Sequence, residues 1–172
     1  MAEPRVSVRS EWAADHEAVH RIHKEAFGQP GEAELVRALR PGPCISLVAE
    51  RDGSVVGHIL FTPVEVEGED GLTGAMGLGP MAVEPGSQRQ GIGSALVLAG
   101  LDACRTAGVA SVFVLGHPGY YPRFGFASAA AAGFGCDWDV PDDVFLVIEL
   151  APGSLEGRRG AVKYHPEFSR ID

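Results

Sequence analysis

The chain has 172 residues, 45% of them hydrophobic, and a formal net charge of -9 at pH 7, which together predict one globular domain over residues 1–172. The acidic balance disfavours nucleic-acid binding, which needs a basic face; it either favours a cationic substrate or only keeps the protein in solution. No apolar run approaches the ~20 residues of a membrane helix, and the first residues lack the pattern of a secretion signal, so we expect a cytoplasmic protein without membrane contact.

The first half of the chain alternates helical and strand patterns. In a helix predicted over 15–27, Val19, Ile22 and Ala26 recur at helical spacing. Asp52 and Gly53 separate two apolar runs and predict a tight hairpin. The elements predicted here are a strand over 6–8, helices over 15–27 and 32–39, and strands over 45–50 and 54–66.

The second half opens with an acidic turn over 67–71 and a longer strand that Gly79 and Pro80 interrupt. Such residues usually mark a bulge or a departure from pairing, although Pro80 is also compatible with an edge strand. Cys104 lies within a predicted helix and is expected in the core. The elements predicted here are strands over 72–83, 110–115, 144–150 and 161–164 and a helix over 92–107, with the region after Phe126 unassigned.

One motif in the first helix suggests a metal site. His16, Glu17 and His20 match H-E-x-x-H, and His23 lies one turn later, so a zinc hydrolase with Glu17 as base is one alternative. The apolar stripe of the same helix should face the core, however, so we expect the histidines to face water and to bind no metal. The three cysteines are odd in number and widely spaced, which is typical of reduced cytoplasmic thiols rather than of a disulfide or zinc framework.

A glycine-punctuated segment between a strand and a helix is the strongest functional signal. Amide groups at a helix start have no intrahelical partner and carry partial positive charge, and Gly91 and Gly93 let a diphosphate approach the backbone. No Lys follows, as a P-loop requires, and the third glycine of a dinucleotide fingerprint is absent. The segment therefore predicts coenzyme A or a nucleotide, bound by Gln88, Arg89, Gln90, Gly91, Ile92, Gly93 and Ser94.

This segment resembles motif A of the GNAT N-acetyltransferase superfamily, Q/R-x-x-G-x-G/A, with Gln88, Gly91 and Gly93 in its fixed positions. Tyr121, followed by three residues and then Gly125-Phe126, resembles the second landmark of that superfamily. Both landmarks occur in order and are separated by one helix and one strand. Residues 57–61 and 78–83 further resemble the YhbS-like branch of the superfamily.

The resemblance implies an α+β fold: a mixed central sheet of six to seven strands, splayed at the fourth and fifth strands and flanked by about four helices. It implies that the pantetheine arm of the coenzyme lies in the splay. Pantetheine amides can pair with exposed strand backbone like an added strand, so Met81, Ala82 and Val83 are expected to bind it. The implied co-substrate is acetyl-CoA, and a homodimer is an expectation from the superfamily alone.

The implied reaction is transfer of an acetyl group from the CoA thioester to a primary amine by direct attack in a ternary complex. The resemblance assigns Tyr121 as the acid that protonates the leaving thiolate, and a phenol is protonated at neutral pH. The base stays open between Glu84 at the strand end, His58 in a flanking strand, and water. The acceptor, a small molecule or a protein amine, is also open.

The sequence departs from the superfamily at one position, and it leaves one non-catalytic alternative. Many members carry an Asn several residues before the Tyr, whereas here the connection is the short segment 116–119, so no Asn contact can be carried over. A non-catalytic acyl-CoA-binding module would keep the glycine loop but tolerate loss of Tyr121. The intact Tyr-x-x-x-Gly-Phe pattern favours the enzyme.

Overall fold

Three α-helices and ten strands occupy residues 6–67 and 74–170, the ranges that the computed structural model of the chain describes. The helices are α1 (His16–Phe27), α2 (Gly31–Leu39) and α3 (Ile92–Thr106). The strands are β1 (Val6–Ser10), β2 (Ile45–Arg51), β3 (Ser54–Pro63), β4 (Glu65–Glu67), β5 (Ala75–Val83), β6 (Ser111–Leu115), β7 (Ala127–Ser128), β8 (Phe134–Cys136), β9 (Phe145–Glu149) and β10 (Gly160–Lys163). None of the helices in these ranges is long and apolar enough to cross a bilayer.

Seven of the strands form a mixed sheet in the order β1-β2-β3-β5-β6-β9-β7, which confirms the predicted α+β class and strand number. The prediction of about four helices is too high for the described residues, where short 3-10 turns such as Tyr121–Phe124 occupy other connections. Most of the acidic turn predicted over 67–71, and the start of the strand predicted over 72–83, lie outside the described residues. The described residues fall into two compact units, and the single domain over 1–172 stays a prediction.

The first unit comprises Met1–Phe61, Gly79–Gly100 and Pro166–Asp172. Strands β1, β2 and β3 pair antiparallel, and the hairpin predicted at Asp52 and Gly53 is present, with φ of 53° and 79° at the two turn residues. One apolar cluster joins α1 and α2 to β2 and β3; its buried members are Val19, Leu35, Val36, Leu39, Val48 and Leu60.

The second unit comprises Thr62–Leu78 and Leu101–His165. The first four residues of β5 pair parallel with β6, from Ala75 opposite Ser111 to Leu78 opposite Val114. This register ends where Gly79 and Pro80 interrupt β5, as the sequence predicts. Strand β6 pairs antiparallel with β9, and Phe113 packs against Phe134 and Phe145 in the core of the unit. Cys104 is fully buried, as expected.

The single strand predicted over 54–66 is wrong, because β3 ends at Pro63 and residues 65–67 form the separate strand β4. Proline has no amide hydrogen to continue a ladder. The next amide, of Val64, donates to the Ala75 carbonyl at 3.1 Å. Strand β4 then pairs with β10 in a separate three-stranded sheet of order β4-β10-β8.

A glycine in α3 is expected to reverse the usual effect of a helical alanine. In most helix interiors Gly→Ala stabilises by ~1 kcal/mol. A Cβ at Gly100 would overlap the ring of Phe61, which is fully buried, so Gly100→Ala should instead destabilise by ~1–3 kcal/mol. Urea denaturation measures this, with Gly86→Ala as control because a Cβ there meets no atom within 4 Å. An unchanged or raised stability of Gly100→Ala would contradict the packing described.

Candidate active site

The glycine segment forms an exposed loop that leads into α3. After β5 a 3-10 turn covers Pro85–Ser87, and the loop then reaches Gly91, whose φ is +82° and whose Cα faces open space. The Ala95 amide donates to the Gly91 carbonyl at 3.0 Å, so the amides before it belong to the first helical turn. Ile92 is buried and holds the helix start in place. The arrangement presents a helix N-terminus at an open glycine, which suits an anionic group.

The strand that precedes the loop alternates in exposure. Ala82 is buried, while Met81 and Val83 are half-buried. The Val83 carbonyl accepts a hydrogen bond from Nε2 of Gln88 at 3.0 Å. The Gln88 side chain therefore ties the loop to the strand, a role that differs from the phosphate contact expected from its motif position. The backbone of Met81 and Val83 stays the predicted pantetheine contact.

Arg51 connects to the loop from the end of β2, and sequence reasoning missed it. Its Nη1 donates to Oε1 of Gln90 at 2.5 Å, and its Nη2 donates to Oγ of Ser87 at 2.7 Å. These contacts span 39 and 36 residues of sequence. No local pattern marks such a pair; the only signal was that Arg51 precedes the Asp52-Gly53 turn.

Glu84 follows β5 directly, as predicted, and its carboxylate has two neighbours in the first unit. Ser87 Oγ donates to Oε2 at 3.1 Å, and Arg21 Nη1 lies 3.6 Å from Oε1. The Glu84 amide donates to the Val56 carbonyl of β3 at 2.8 Å, which fixes the backbone. The side chain is 31% exposed, so the carboxylate can meet a substrate from solvent.

His58 occupies the centre of the first unit rather than its surface. The residue is 0% exposed, and both ring nitrogens are occupied: Nδ1 lies 2.8 Å from Nε2 of His23, and Nε2 lies 2.8 Å from Oγ of Ser46. Burial, with the charge of Arg40 as a second cause, lowers the pKa of His58 to about 3. These surroundings disfavour His58 as the base, because it can reach neither solvent nor a proton at neutral pH.

The two histidines belong to a directional chain of hydrogen bonds. Ser46 Oγ donates to Oε1 of Glu11 at 2.8 Å, because a carboxylate only accepts. The single hydroxyl hydrogen is thereby used, so Ser46 must accept from His58, and His58 in turn accepts from His23. Arg40 donates twice to the Glu11 carboxylate, at 3.0 and 2.9 Å. Nδ1 of His23 ends the chain, buried and without a hydrogen-bond partner among the described residues.

The structure does not bring the H-E-x-x-H histidines together with His23. Glu17 is exposed and His16 and His20 are partly so, whereas His23 is fully buried, so the prediction that all three histidines face water is wrong for His23. His23 follows Val19 by four residues and therefore lies on the apolar stripe. Within residues 6–67 and 74–170, no group of three His, Cys, Asp or Glu side chains could hold a metal ion.

Tyr121 lies in the second unit at the start of the 3-10 turn Tyr121–Phe124. Gly125 ends this turn at φ 103°, and the buried Phe126 packs against the Tyr121 ring at 5.6 Å between centroids. The ring also lies directly on Gly116, where any Cβ would overlap it. These contacts explain the Tyr-x-x-x-Gly-Phe spacing and identify Gly116 as a residue that sequence reasoning missed.

The Tyr121 hydroxyl is held in its protonated form. Burial, and to a lesser extent the neighbouring Tyr120, raises the pKa of Tyr121 well above its ordinary value. Tyr120 packs edge-on against Tyr121 and Phe124 and stacks under the Arg123 guanidinium at 4.5 Å, as a packing residue should. The Tyr121 hydroxyl therefore carries its proton at neutral pH, and its role as the acid stays a prediction.

Comparison with known proteins defines the class. The acetyltransferase (GNAT) domain family matches residues 7–129. The N-acetyltransferase YhbS of Escherichia coli K12 is 36% identical over 167 residues, which cover 95% of this chain and 99% of the relative. The chain therefore belongs to the GNAT acetyltransferase family and is an N-acetyltransferase, as its two landmarks predict.

Two solved structures resemble the whole chain. The GNAT family N-acetyltransferase YhbS from Escherichia coli, crystallised in complex with CoA, has a TM-score of 0.93 and 36% identity over 100% of this chain and 96% of the other. A GNAT family acetyltransferase from Brucella melitensis, in complex with acetyl-CoA, has a TM-score of 0.78 and 34% identity over 95% of this chain and 98% of the other. The similarity to YhbS confirms the predicted branch.

The buried histidine pair should make stability depend on pH. The pKa of His23 is also lowered to about 3, chiefly by burial and then by His58, whereas an unfolded histidine titrates near ~6.5. Between these values the unfolded chain binds more protons than the folded chain. Above about pH 6.5 the two histidines should therefore not reduce the free energy of unfolding. Below that pH the free energy of unfolding should fall by ~1.4 kcal/mol per pH unit for each histidine, until the pH approaches 3.

Urea denaturation at pH 7, 6, 5 and 4 measures this slope. The matched control is the double variant His23→Leu/His58→Met, which removes both titrating groups and should give a flatter profile over the same range. Parallel profiles for the two proteins would contradict the assignment of neutral, buried imidazoles.

Proposed function

We propose that the protein transfers an acetyl group from acetyl-CoA to a primary amine in a ternary complex. The observation that carries the proposal is the open glycine at the N-terminus of α3, where Gly91 has positive φ and an added Cβ would meet no atom within 4 Å. Amides and helix dipole there favour a pyrophosphate. The bound CoA and acetyl-CoA of the Escherichia coli and Brucella melitensis relatives support the same coenzyme.

Residues 88–94 bind the pyrophosphate in this proposal, and the backbone of Met81, Ala82 and Val83 binds the pantetheine arm. Pantetheine needs strand backbone with available polar groups, and β5 beyond Leu78 lies past its register with β6. Arg89 has φ of 64° and an exposed side chain, so its guanidinium is available to a phosphate. These contacts use local donors, which explains how a chain of net charge -9 can bind an anionic coenzyme.

Acetyl transfer needs a base for the amine and an acid for the thiolate. A lysine-like amine has a pKa near ~10.4, so its deprotonation at neutral pH costs on the order of 4–5 kcal/mol. We assign Glu84, directly or through water, as the base, because its carboxylate is oriented and partly exposed, unlike His58. Tyr121 is the acid, supported by its motif position and its protonated hydroxyl.

A groove beside α1 is where we propose that the acceptor binds. It has a volume of about 910 Å³, and Arg21, which lines it, lies 3.6 Å from Glu84. Its other lining residues are Ala14, His16, Glu17, Ala18, His20, Lys24, Glu25, Arg37 and Arg40. The acceptor is thus an amine, on a small molecule or a protein, that tolerates a mixed-charge groove. We place the enzyme in the cytoplasm, and a homodimer stays a prediction.

Gly91→Ala should weaken CoA binding about tenfold or more, because a Cβ would occupy the space that the diphosphate needs. Isothermal titration with CoA measures the Kd. Gly28→Ala is the matched control: Gly28 also has positive φ (+70°) and open space, so it shares the ~1–2 kcal/mol of backbone strain without touching the loop. Equal CoA affinity of the two variants would refute the loop assignment.

Tyr121→Phe should lower kcat by about 10²-fold while leaving the Kd for CoA within about twofold, since only the proton donor is lost. Release of free CoA from acetyl-CoA measures turnover across a panel of primary amines. Tyr120→Phe, which alters the adjacent packing tyrosine, is the control. Turnover of Tyr121→Phe at the wild-type rate would exclude its role as acid and favour simple acyl-CoA binding.

A further inference from the structure

A row of hydrogen bonds crosses the first unit from the coenzyme loop to the proposed base. It runs from Gln90 through Arg51 and Ser87 to Glu84, with donor–acceptor distances of 2.5, 2.7 and 3.1 Å. Ser87 is buried, with 2% of its surface exposed, so the two bonds of its hydroxyl are partly shielded from water, whereas the bond from Arg51 to Gln90 is exposed. The sequence brings Ser87 and Glu84 together locally, whereas Arg51 comes from the distant β2.

The donors and acceptors from Arg51 through Ser87 to Glu84 fix the direction of each hydrogen bond. A guanidinium can only donate, so Ser87 Oγ must accept from Arg51. The single Ser87 hydrogen is then directed to the Glu84 carboxylate, which can only accept when ionised. Arg51 therefore fixes the rotamer of the Ser87 hydroxyl and through it the orientation of Oε2 of Glu84. The contact of Arg21 with Oε1 is longer, at 3.6 Å, and both side chains are partly exposed, so it constrains the carboxylate less.

The same guanidinium also holds the loop. Its second branch binds the Gln90 side chain, one residue before Gly91. A lysine has three donors on one nitrogen but no rigid fork, so it would hold the two acceptors less firmly than the planar guanidinium does. One side chain thus sets both the loop that meets the diphosphate and the carboxylate that meets the amine.

We propose that Arg51 is a positioning residue for acetyl transfer, which orders the coenzyme loop through Gln90 and orients the Glu84 base through Ser87. This inference rests on the proposed function, because it assigns the loop to CoA and Glu84 to the base. It adds a physical link between them: the coenzyme loop and the base share one rigid support, so binding CoA and preparing the carboxylate are coupled.

The test separates the two branches. Ser87→Ala breaks only the branch to Glu84, so kcat should fall about tenfold while the Kd for CoA changes by less than about twofold. Arg51→Ala breaks both branches, so the Kd for CoA should rise about fivefold to tenfold and kcat should also fall, and Arg51→Lys should lie between this variant and the wild type. The double variant Arg51→Ala/Ser87→Ala should be no slower than the slower single variant, because the branch is already broken.

The measurements are titration with CoA, release of CoA from acetyl-CoA with spermidine, glucosamine or alanine amide as acceptor, and thermal unfolding to verify folding. Arg105→Ala is the control for loss of a guanidinium, because Arg105 pairs with Asp102 near the end of α3. A wild-type CoA Kd in Arg51→Ala, or wild-type turnover in Ser87→Ala, would overturn the proposal. The CoA titration needs no acceptor.

A further variant distinguishes this failure from failure of the proposed function. If Glu84→Gln lowers turnover and Ser87→Ala does not, Glu84 is the base and the positioning role is wrong. If Glu84→Gln has wild-type turnover, the proposed base itself is wrong. If the wild-type protein does not bind CoA, the assignment of the loop is wrong.

Discussion

The close approach of α3 to β3 is the constraint on which the candidate site depends. A Cβ at Gly57 would come within 3.0 Å of the Leu96 side chain and 3.2 Å of Ile92, so the bare backbone of β3 lets the first turns of the helix pack closely against the strand. Ile92 and Leu96 are almost fully buried as a result. The helix start is therefore fixed by apolar packing, and its amides keep their direction without any ligand.

Polar contacts then hold the loop that precedes α3, whose start is positioned by this apolar packing. The loop is tied to β5 by Gln88 and to β2 by Arg51, so three strands contribute to its position. Each contact uses a side chain that a motif search would treat as either a ligand or a surface residue. The local donors also matter more than the overall charge, because an acidic chain offers a helix terminus and exposed arginine where an anion has to bind.

The sequence predicted the long elements and both landmarks because these depend on local periodicity and spacing. The helices, the Asp52-Gly53 hairpin and the interruption at Gly79 all follow from short-range rules. It could not predict β7 and β8, which are two and three residues long and too short to show a period. It also missed the end of β3 at Pro63, a proline inside an apolar run, after which β4 joins the three-stranded sheet.

Side-chain partners distant in sequence were beyond these rules. His58 was a reasonable base from its residue type, and only the contacts with His23 and Ser46 show it to be part of the core. His23 is a different case, since its spacing from Val19 already placed it on the buried stripe. Arg51 and Gly116 carry no motif, and their importance is visible only from what they touch.

The bond between Gln88 and the Val83 carbonyl has a consequence for which coenzymes the site can accept. It links the strand that we propose for the pantetheine arm to the loop that we propose for the diphosphate. The hydrogen bond between Gln88 and Val83 would therefore set the length of coenzyme that fits between its last amide and its first phosphate. Under the proposed assignment, a thioester carrier with a shorter or longer spacer would contact one of these two parts but not both, and the site would then select its coenzyme by length as well as by charge.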